Sequence, residues 1–261
     1  MLDSLPRRRL LLATVAVLVV GAIVAAALVV TQRDDDKPPP IAQGKLGPVI
    51  VLPGYGGRLT SLIPIVVALR AEGRQAVVFT PTQAETGDLR VQAQLLGALV
   101  TRTLRTSGAT SVDVVGYSAG GVIARIWVKD FGGAAVARRV LTIASPHHGT
   151  SQTNIRLESP TRACPMTCEQ LSTGSPFLTQ LNSGDETPAG PAWITIRSAT
   201  DGIVTPDSSA TLKGALNLLV QTGCPAATTI HTAMPADPYV LAALGSTLGT
   251  APPKAPTDAR C

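Results

Sequence analysis

The stretch from Ser111 to Arg125 constrains this chain more than any other. Val112, Val114 and Val115 form a short β-branched run that reads as a buried strand. It passes directly into Gly116-Tyr117-Ser118-Ala119-Gly120, the pattern Gly-x-Ser-x-Gly, and beyond it Val122, Ile123, Ile126 and Trp127 recur at helical spacing. A strand, a sharp turn and a helix in this order push Ser118 out above a sheet, with a helix amino terminus behind it to favour developing negative charge. A side chain at Gly116 or Gly120 would collide with neighbouring backbone in such a turn. The alternative is a Gly/Ser-rich turn that merely joins strand to helix, and the flanking periodicity weighs against it.

The rest of the globular part alternates in the same way. Pro48–Leu52 is an apolar run ending at Pro53-Gly54-Tyr55-Gly56-Gly57, and Ser61–Glu72 suits a helix that Gly73 closes. Further strands are expected at Gln75–Thr80, Arg139–Ala144, Ala192–Ser198 and Asn217–Gln221. A long helix opens at Asp88 and runs to about Leu104, and Tyr239–Leu248 forms the last helix. Continuous aliphatic runs belong to strands covered on both faces. The expected class is therefore α/β, a mostly parallel sheet of about six strands with helices on both faces. Ser145–Pro191 is the one long interval without a strand, with a short helix expected around Phe177 to Leu181. It has the size of a binding loop or minimal cap rather than a separate cap domain.

Upstream, Leu10 to Val30 carries no charge, follows Arg7-Arg8-Arg9 and precedes Arg33-Asp34-Asp35-Asp36-Lys37. At 1.5 Å per residue a helix of this length crosses a hydrocarbon layer of about 30 Å, with the arginines on the cytoplasmic side. The block exceeds the usual core of a cleavable signal, so an uncleaved anchor is preferred to a signal peptide cut near Ala25-Ala26-Ala27. Residues 1–31 are thus read as a signal-anchor or signal segment, 32–44 as a Pro-rich linker, and 45–261 as the catalytic domain, outside the cytoplasm. Cys164, Cys168, Cys224 and Cys261 fit two disulfides in that setting, with Cys164–Cys168 and Cys224–Cys261 the preferred pairing of three. Cys-Pro-Met-Thr-Cys lacks the second knuckle that a zinc site needs. The formal charge of +5 includes Arg7–Arg9, and there is no basic stripe, so nucleic-acid binding is not expected.

A serine hydroxyl needs a base to take its proton, and the base needs a carboxylate to orient it. Of three histidines, His147 and His148 follow a strand before any candidate acid, whereas His231 lies after the last strand. His231 is the expected general base, with a polar-loop histidine as its plain alternative. Among Asp130, Asp185, Asp201, Asp207 and Asp237, Asp201 stands just past the Trp193–Arg197 strand and so at the same sheet edge as Ser118. Asp207 is the runner-up, and Asp201-Gly202 is itself a turn signal. Asp113, inside the strand, is expected to anchor neighbouring backbone. Two N–H donors for an oxyanion are expected at Ala119 and Tyr55. The glycine-rich loop lacks the spacings of nucleotide-binding motifs.

With Ser145-Pro146-His147-His148-Gly149-Thr150 and Asp201-Gly202-Ile203-Val204 added, the motif order from about Val49 to Leu248 resembles α/β-hydrolase lipases. It looks most like the small, secreted, lidless triacylglycerol lipases and esterases of bacteria, particularly actinobacterial ones. The resemblance implies Ser118 as nucleophile, Asp201 as acid, His231 as base, and Tyr55 and Ala119 as backbone donors. It implies a lipid or small ester substrate; an acyl-enzyme route needs no metal or organic cofactor, a monomer is expected, and membrane attachment is read from the N-terminal apolar segment, which lies outside the family's minimal pattern as does the C-terminal cysteine. Pro53-Gly54 stands where the family usually has His-Gly, and Tyr117 replaces a common His. Two other readings keep the fold: an envelope acyltransferase using the same three residues, and a non-catalytic surface interaction domain.

Overall fold

A computed structural model describes residues 18–22, 41–82, 87–158 and 165–261 of the chain. The chain divides into two units, residues 1–39 and 40–261. Of the first, residues 18–22 are helical. Among the described residues no helix is long and apolar enough to cross a membrane. Most of the expected Leu10–Val30 anchor, the Pro38–Pro40 spacer and Cys164 lie outside them.

The second unit is built on six strands: β1 (Val49–Leu52), β2 (Ala76–Val78), β3 (Val112–Tyr117), β4 (Ala137–Ile143), β5 (Ala192–Arg197) and β6 (Leu216–Leu219). All pair in parallel, in the order β2-β1-β3-β4-β5-β6. The helices are α1 (Ile63–Ala71), α2 (Leu89–Ser107), α3 (Ala119–Asp130), α4 (Gln152–Glu158), α5 (Met166–Gln170), α6 (Pro176–Asn182), α7 (Val220–Gly223) and α8 (Pro238–Leu248). Strand periodicity explains the two cores. Ile50, Leu52, Val112, Val114 and Val140 point to one face and meet Leu89, Leu96, Ile123 and Trp127 of α2 and α3. Val49, Val51, Val115, Leu141 and Ile143 point to the other and meet Leu69, Tyr239, Val240 and Leu244 of α1 and α8. Both faces are covered, so the strands read as unbroken aliphatic runs.

Element limits moved by a few residues for local reasons. Asp88 caps α2 by accepting from the Arg90 N–H at 2.9 Å, and Gly108 ends that helix in the left-handed region at φ 67°. The sixth strand stops at Leu219 because the chain turns helical at Val220. β4 starts two residues before the expected Arg139, which brings Arg138 into the sheet. The chain is engaged from Gln43: its carbonyl accepts from Arg138 Nη1 at 2.7 Å, and its side-chain amide donates to the Arg138 carbonyl at 3.2 Å. Between β4 and β5 the described residues form α4, α5 and α6 and a bridge from Thr150 to Ser172, a small insertion with no strand of its own. Cys224 is bonded to Cys261 across 37 residues, tying the C-terminal tail to α7. Cys168 is also disulfide-bonded.

Asp113 corrects one expectation. It anchors side chains rather than backbone: Oδ2 accepts from Arg74 Nη2 at 2.6 Å, and Oδ1 accepts from Arg138 Nε at 2.9 Å. Three arginines, Arg74, Arg138 and Arg139, do the anchoring of backbone. Arg74 and Arg138 donate to the Leu248 carbonyl at 2.8 and 2.6 Å, Arg138 also to Gly249 at 2.8 Å, and Arg139 to Ala251 at 2.7 Å. These carbonyls lie at and just beyond the C-terminal end of α8, where the helix dipole is negative and cations are favoured.

Candidate active site

The sheet order reverses its sense between β1 and β3, and in open parallel sheets ligands bind outside the carboxyl ends of the strands at that point. Two segments leave the sheet there: Pro53–Gly57 after β1, and Ser118 after β3. Leu52 is in register with Gly116, which sets the two exits side by side.

Ser118 has φ 52° and ψ −122°, a left-handed conformation that is costly for a residue with a Cβ. The turn is held by its N–H donating to the Ile143 carbonyl at 2.8 Å. It is also closed sterically. A Cβ on Gly116 would lie 2.5 Å from the Gly121 backbone, and one on Gly120 would lie 2.4 Å from the Pro53 carbonyl oxygen. Only glycine fits at either place, so the strand can pack on the helix it feeds. A Cβ on Gly54 would come within 2.9 Å of Ser118 Cβ, which brings the β1 loop against the serine.

His231 opens the 3-10 turn His231–Ala236, and Asp201 follows β5. His231 Nε2 is 3.0 Å from Ser118 Oγ, and His231 Nδ1 is 2.8 Å from Asp201 Oδ2. The other carboxylate oxygen, Oδ1, accepts from the N–H groups of Ile203 at 2.8 Å and Val204 at 2.9 Å, which fixes the carboxylate plane. Three groups from positions 118, 201 and 231 thus make one continuous hydrogen-bonded line. All three are buried, with Ser118 8% exposed, Asp201 7% and His231 3%. Tyr117 supports the line from behind. Its hydroxyl donates to the His231 carbonyl at 3.0 Å, and its ring centroid lies 5.3 Å from the imidazole. Nothing in the sequence pointed to that contact, because Tyr117 and His231 are 114 residues apart.

The expected oxyanion donors occupy the two exits. Ala119 is the first residue of α3, where N–H groups have no acceptor within the helix. Tyr55 follows Gly54 in the loop against Ser118. Its own hydroxyl is buried and has no hydrogen-bond partner among the described residues.

The alternative candidates sit elsewhere. Asp207 accepts from Arg197 Nε at 3.0 Å, and Asp237 caps α8 through the Tyr239 N–H at 2.8 Å. His148 Nε2 is 3.0 Å from Glu186 Oε1. His147 is fully buried, with Nε2 3.0 Å from Thr142 Oγ1; burial first, then the neighbouring Arg125, holds its pKa well below the ordinary histidine value. It is a neutral core histidine. Its carbonyl accepts from Asn182 Nδ2 at 3.0 Å, and Arg125, brought down to about 10 by burial, donates from Nε to the Glu186 carbonyl at 2.8 Å. These contacts fasten the insertion to α3. Among the described residues no group of His, Cys, Asp and Glu could hold a metal ion.

A parallel six-stranded sheet with helices on both faces, and a serine at a strained strand-to-helix turn, defines the α/β-hydrolase class. Residues 92–234, more than half of the chain, match the class 2 lipase family, and the chain belongs to that family. Solved structures share the fold. Lipase B of Aspergillus fumigatus is 22% identical with a TM-score of 0.71, covering 83% of this chain and 56% of its own. This chain thus spans little more than half the length of that lipase. The mature form of lipase BlEst2 from Bacillus licheniformis is 16% identical with a TM-score of 0.60, covering 77% of this chain and 89% of its own. A bromoperoxidase from Bacillus anthracis, 12% identical with a TM-score of 0.51 over 73% of this chain and 87% of its own, has the fold too, so the fold by itself does not fix the reaction. No curated protein matches the chain.

Proposed function

We propose that the protein hydrolyses lipid esters through a covalent acyl-enzyme on Ser118. The observation that carries this is the hydrogen-bonded line from Ser118 Oγ through His231 to Asp201. In the first half-reaction Ser118 Oγ forms a bond to the ester carbonyl carbon while its proton passes to His231 Nε2. The Ala119 and Tyr55 N–H groups receive the oxyanion. The carbon–oxygen bond to the alcohol then breaks, and His231 returns the proton to that alcohol. In the second half-reaction His231 takes a proton from water, the hydroxide adds to the acyl carbon, and Ser118 leaves with the proton restored. Asp201 holds the imidazole in the tautomer with Nδ1–H and stabilises it when charged.

The setting belongs to the same proposal. The motif resemblance to small lidless secreted lipases, together with the Cys224–Cys261 bond, supports an oxidising, extracytoplasmic location. The apolar Leu10–Val30 segment would hold the domain at the membrane. The names of the A. fumigatus and B. licheniformis structures, both lipases, support a lipid ester as substrate.

With p-nitrophenyl butyrate in excess under rapid mixing, the mechanism predicts a burst of p-nitrophenol equal to the enzyme present wherever deacylation is slower than acylation, and a butyryl mass increase on Ser118 after acid quench. Turnover without any acylated serine, sought by quenching at several times, would refute the covalent route.

A further inference from the structure

We infer that the cleft beside Ser118 receives an ester that carries an anionic group, and that Arg58 is the residue selecting it; this rests on the reading of Ser118 given above. The cleft, of about 270 Å³, is lined by Gly54, Arg58, Thr60, Ser61, Tyr117 and Thr232 among others. Three of its lining residues are neighbours of the reacting groups. Gly54 packs on Ser118, Tyr117 precedes that serine, and Thr232 follows His231.

Charge makes the cleft selective. Arg58 is exposed and forms no ion pair among the described residues. The segments that build the walls hold no carboxylate at all: neither residues 41–71, nor 114–129, nor 208–236 contain an Asp or Glu. The acid of the hydrogen-bonded line, Asp201, is buried with both oxygens engaged. A guanidinium with no counter-ion, at a concave site beside a reactive serine, matches the planar two-oxygen geometry of a phosphate or carboxylate. The Thr60 and Thr232 hydroxyls make no hydrogen bond among the described residues and add donors of the kind such oxygens accept.

Residues close in sequence to the lining ones have the opposite character. Leu59, Ile63 and Ile230 are 40, 56 and 56% exposed, and the turn that carries Leu59 touches the turn that begins at His231. A cation and hydroxyls in the cleft, with exposed aliphatic side chains on the same segments, complement an amphiphile whose head is negative. The anion could be borne on the alcohol side of the ester, as in a monoacyl glycerophosphate, or on the acyl side, as in a half-ester of a dicarboxylic acid.

The full chain is tested with three esters at low salt: monoacyl glycerophosphate, mono-p-nitrophenyl glutarate and neutral p-nitrophenyl butyrate. Arg58→Gln is expected to lower the ratio of kcat/KM for one anionic ester over the neutral ester about tenfold, chiefly through KM. The ester that responds identifies the side carrying the anion. Arg58→Lys should recover part of the ratio, and Arg70→Gln, which changes the same net charge on exposed α1, should leave it as it was. Unchanged ratios for both anionic esters in Arg58→Gln would overturn the inference, as would an equal fall in Arg70→Gln. If the wild-type protein turns over none of the three, the reading of Ser118 itself fails and this inference falls with it.

Discussion

Replacing Ser118 with alanine should lower kcat for ester hydrolysis by about 10⁴–10⁶ while leaving the folded protein as stable as before or slightly more so. On the proposed route the rate falls because the variant loses the hydroxyl that lies against His231 Nε2. Stability is spared because the hydroxyl's bond to His231 is a single hydrogen bond, and the turn is held by backbone, through the Ser118 N–H and the contacts of Gly116 and Gly120. Adding His231→Ala to Ser118→Ala should cost little further, since residues that act as one unit are not additive. Steady-state kinetics on p-nitrophenyl esters with parallel thermal denaturation measures both quantities. A Ser118→Ala variant with activity within tenfold of wild type would count against the mechanism.

The largest loss of stability should come far from that site, at Asp113. Asp113, Arg138 and Arg139 are wholly buried and Arg74 nearly so. The four bring three positive charges against one negative. The imbalance is tolerated because the C-terminal carbonyls of α8 and the Gln43 carbonyl accept from the guanidinium groups. Burial, and next the neighbouring Arg138, already lower the pKa of Arg139. Removing the carboxylate by Asp113→Ala would leave the cations with carbonyl dipoles alone, and breaking one partner of such a buried set costs about 3–5 kcal/mol. Denaturant unfolding followed by circular dichroism should show that loss, with Asp113→Asn losing less because the amide oxygen still accepts. A change under about 1 kcal/mol would mean that the dipole and relaxation carry the cluster unaided.

The two predictions mark what was and was not readable from the chain. The elbow around Ser118 was legible because strand, turn and helix are adjacent in sequence, and period-two and helical spacings are local signals. The sheet followed for the same reason: strands covered on both faces are unbroken aliphatic runs. His231 and Asp201 could be picked out from their place after particular strands, since parallel strands put their carboxyl ends on one edge. What could not be read was side-chain pairing at long separation. Asp113 meets Arg74 and Arg138 from 39 and 25 residues away, and no local pattern marks such a set. Asp113 sits in a strand as an apparent break in apolar character, which signals a buried partner without naming it. The same holds for the Tyr117 hydroxyl on the His231 carbonyl, and for Arg125 and Asn182 fastening the insertion. Strand limits shifted where a charged residue, Arg138, was buried by its partners against its ordinary preference for the surface.

The most direct measurement of the central claim is to treat the full-length protein with a fluorophosphonate, digest it and locate the adduct by mass spectrometry. The account predicts one phosphonyl group per chain, on Ser118, with labelling lost in step with esterase activity and greatly slowed in His231→Ala. An active protein that loses its activity through modification of another residue, or keeps it with Ser118 fully modified, would contradict the account.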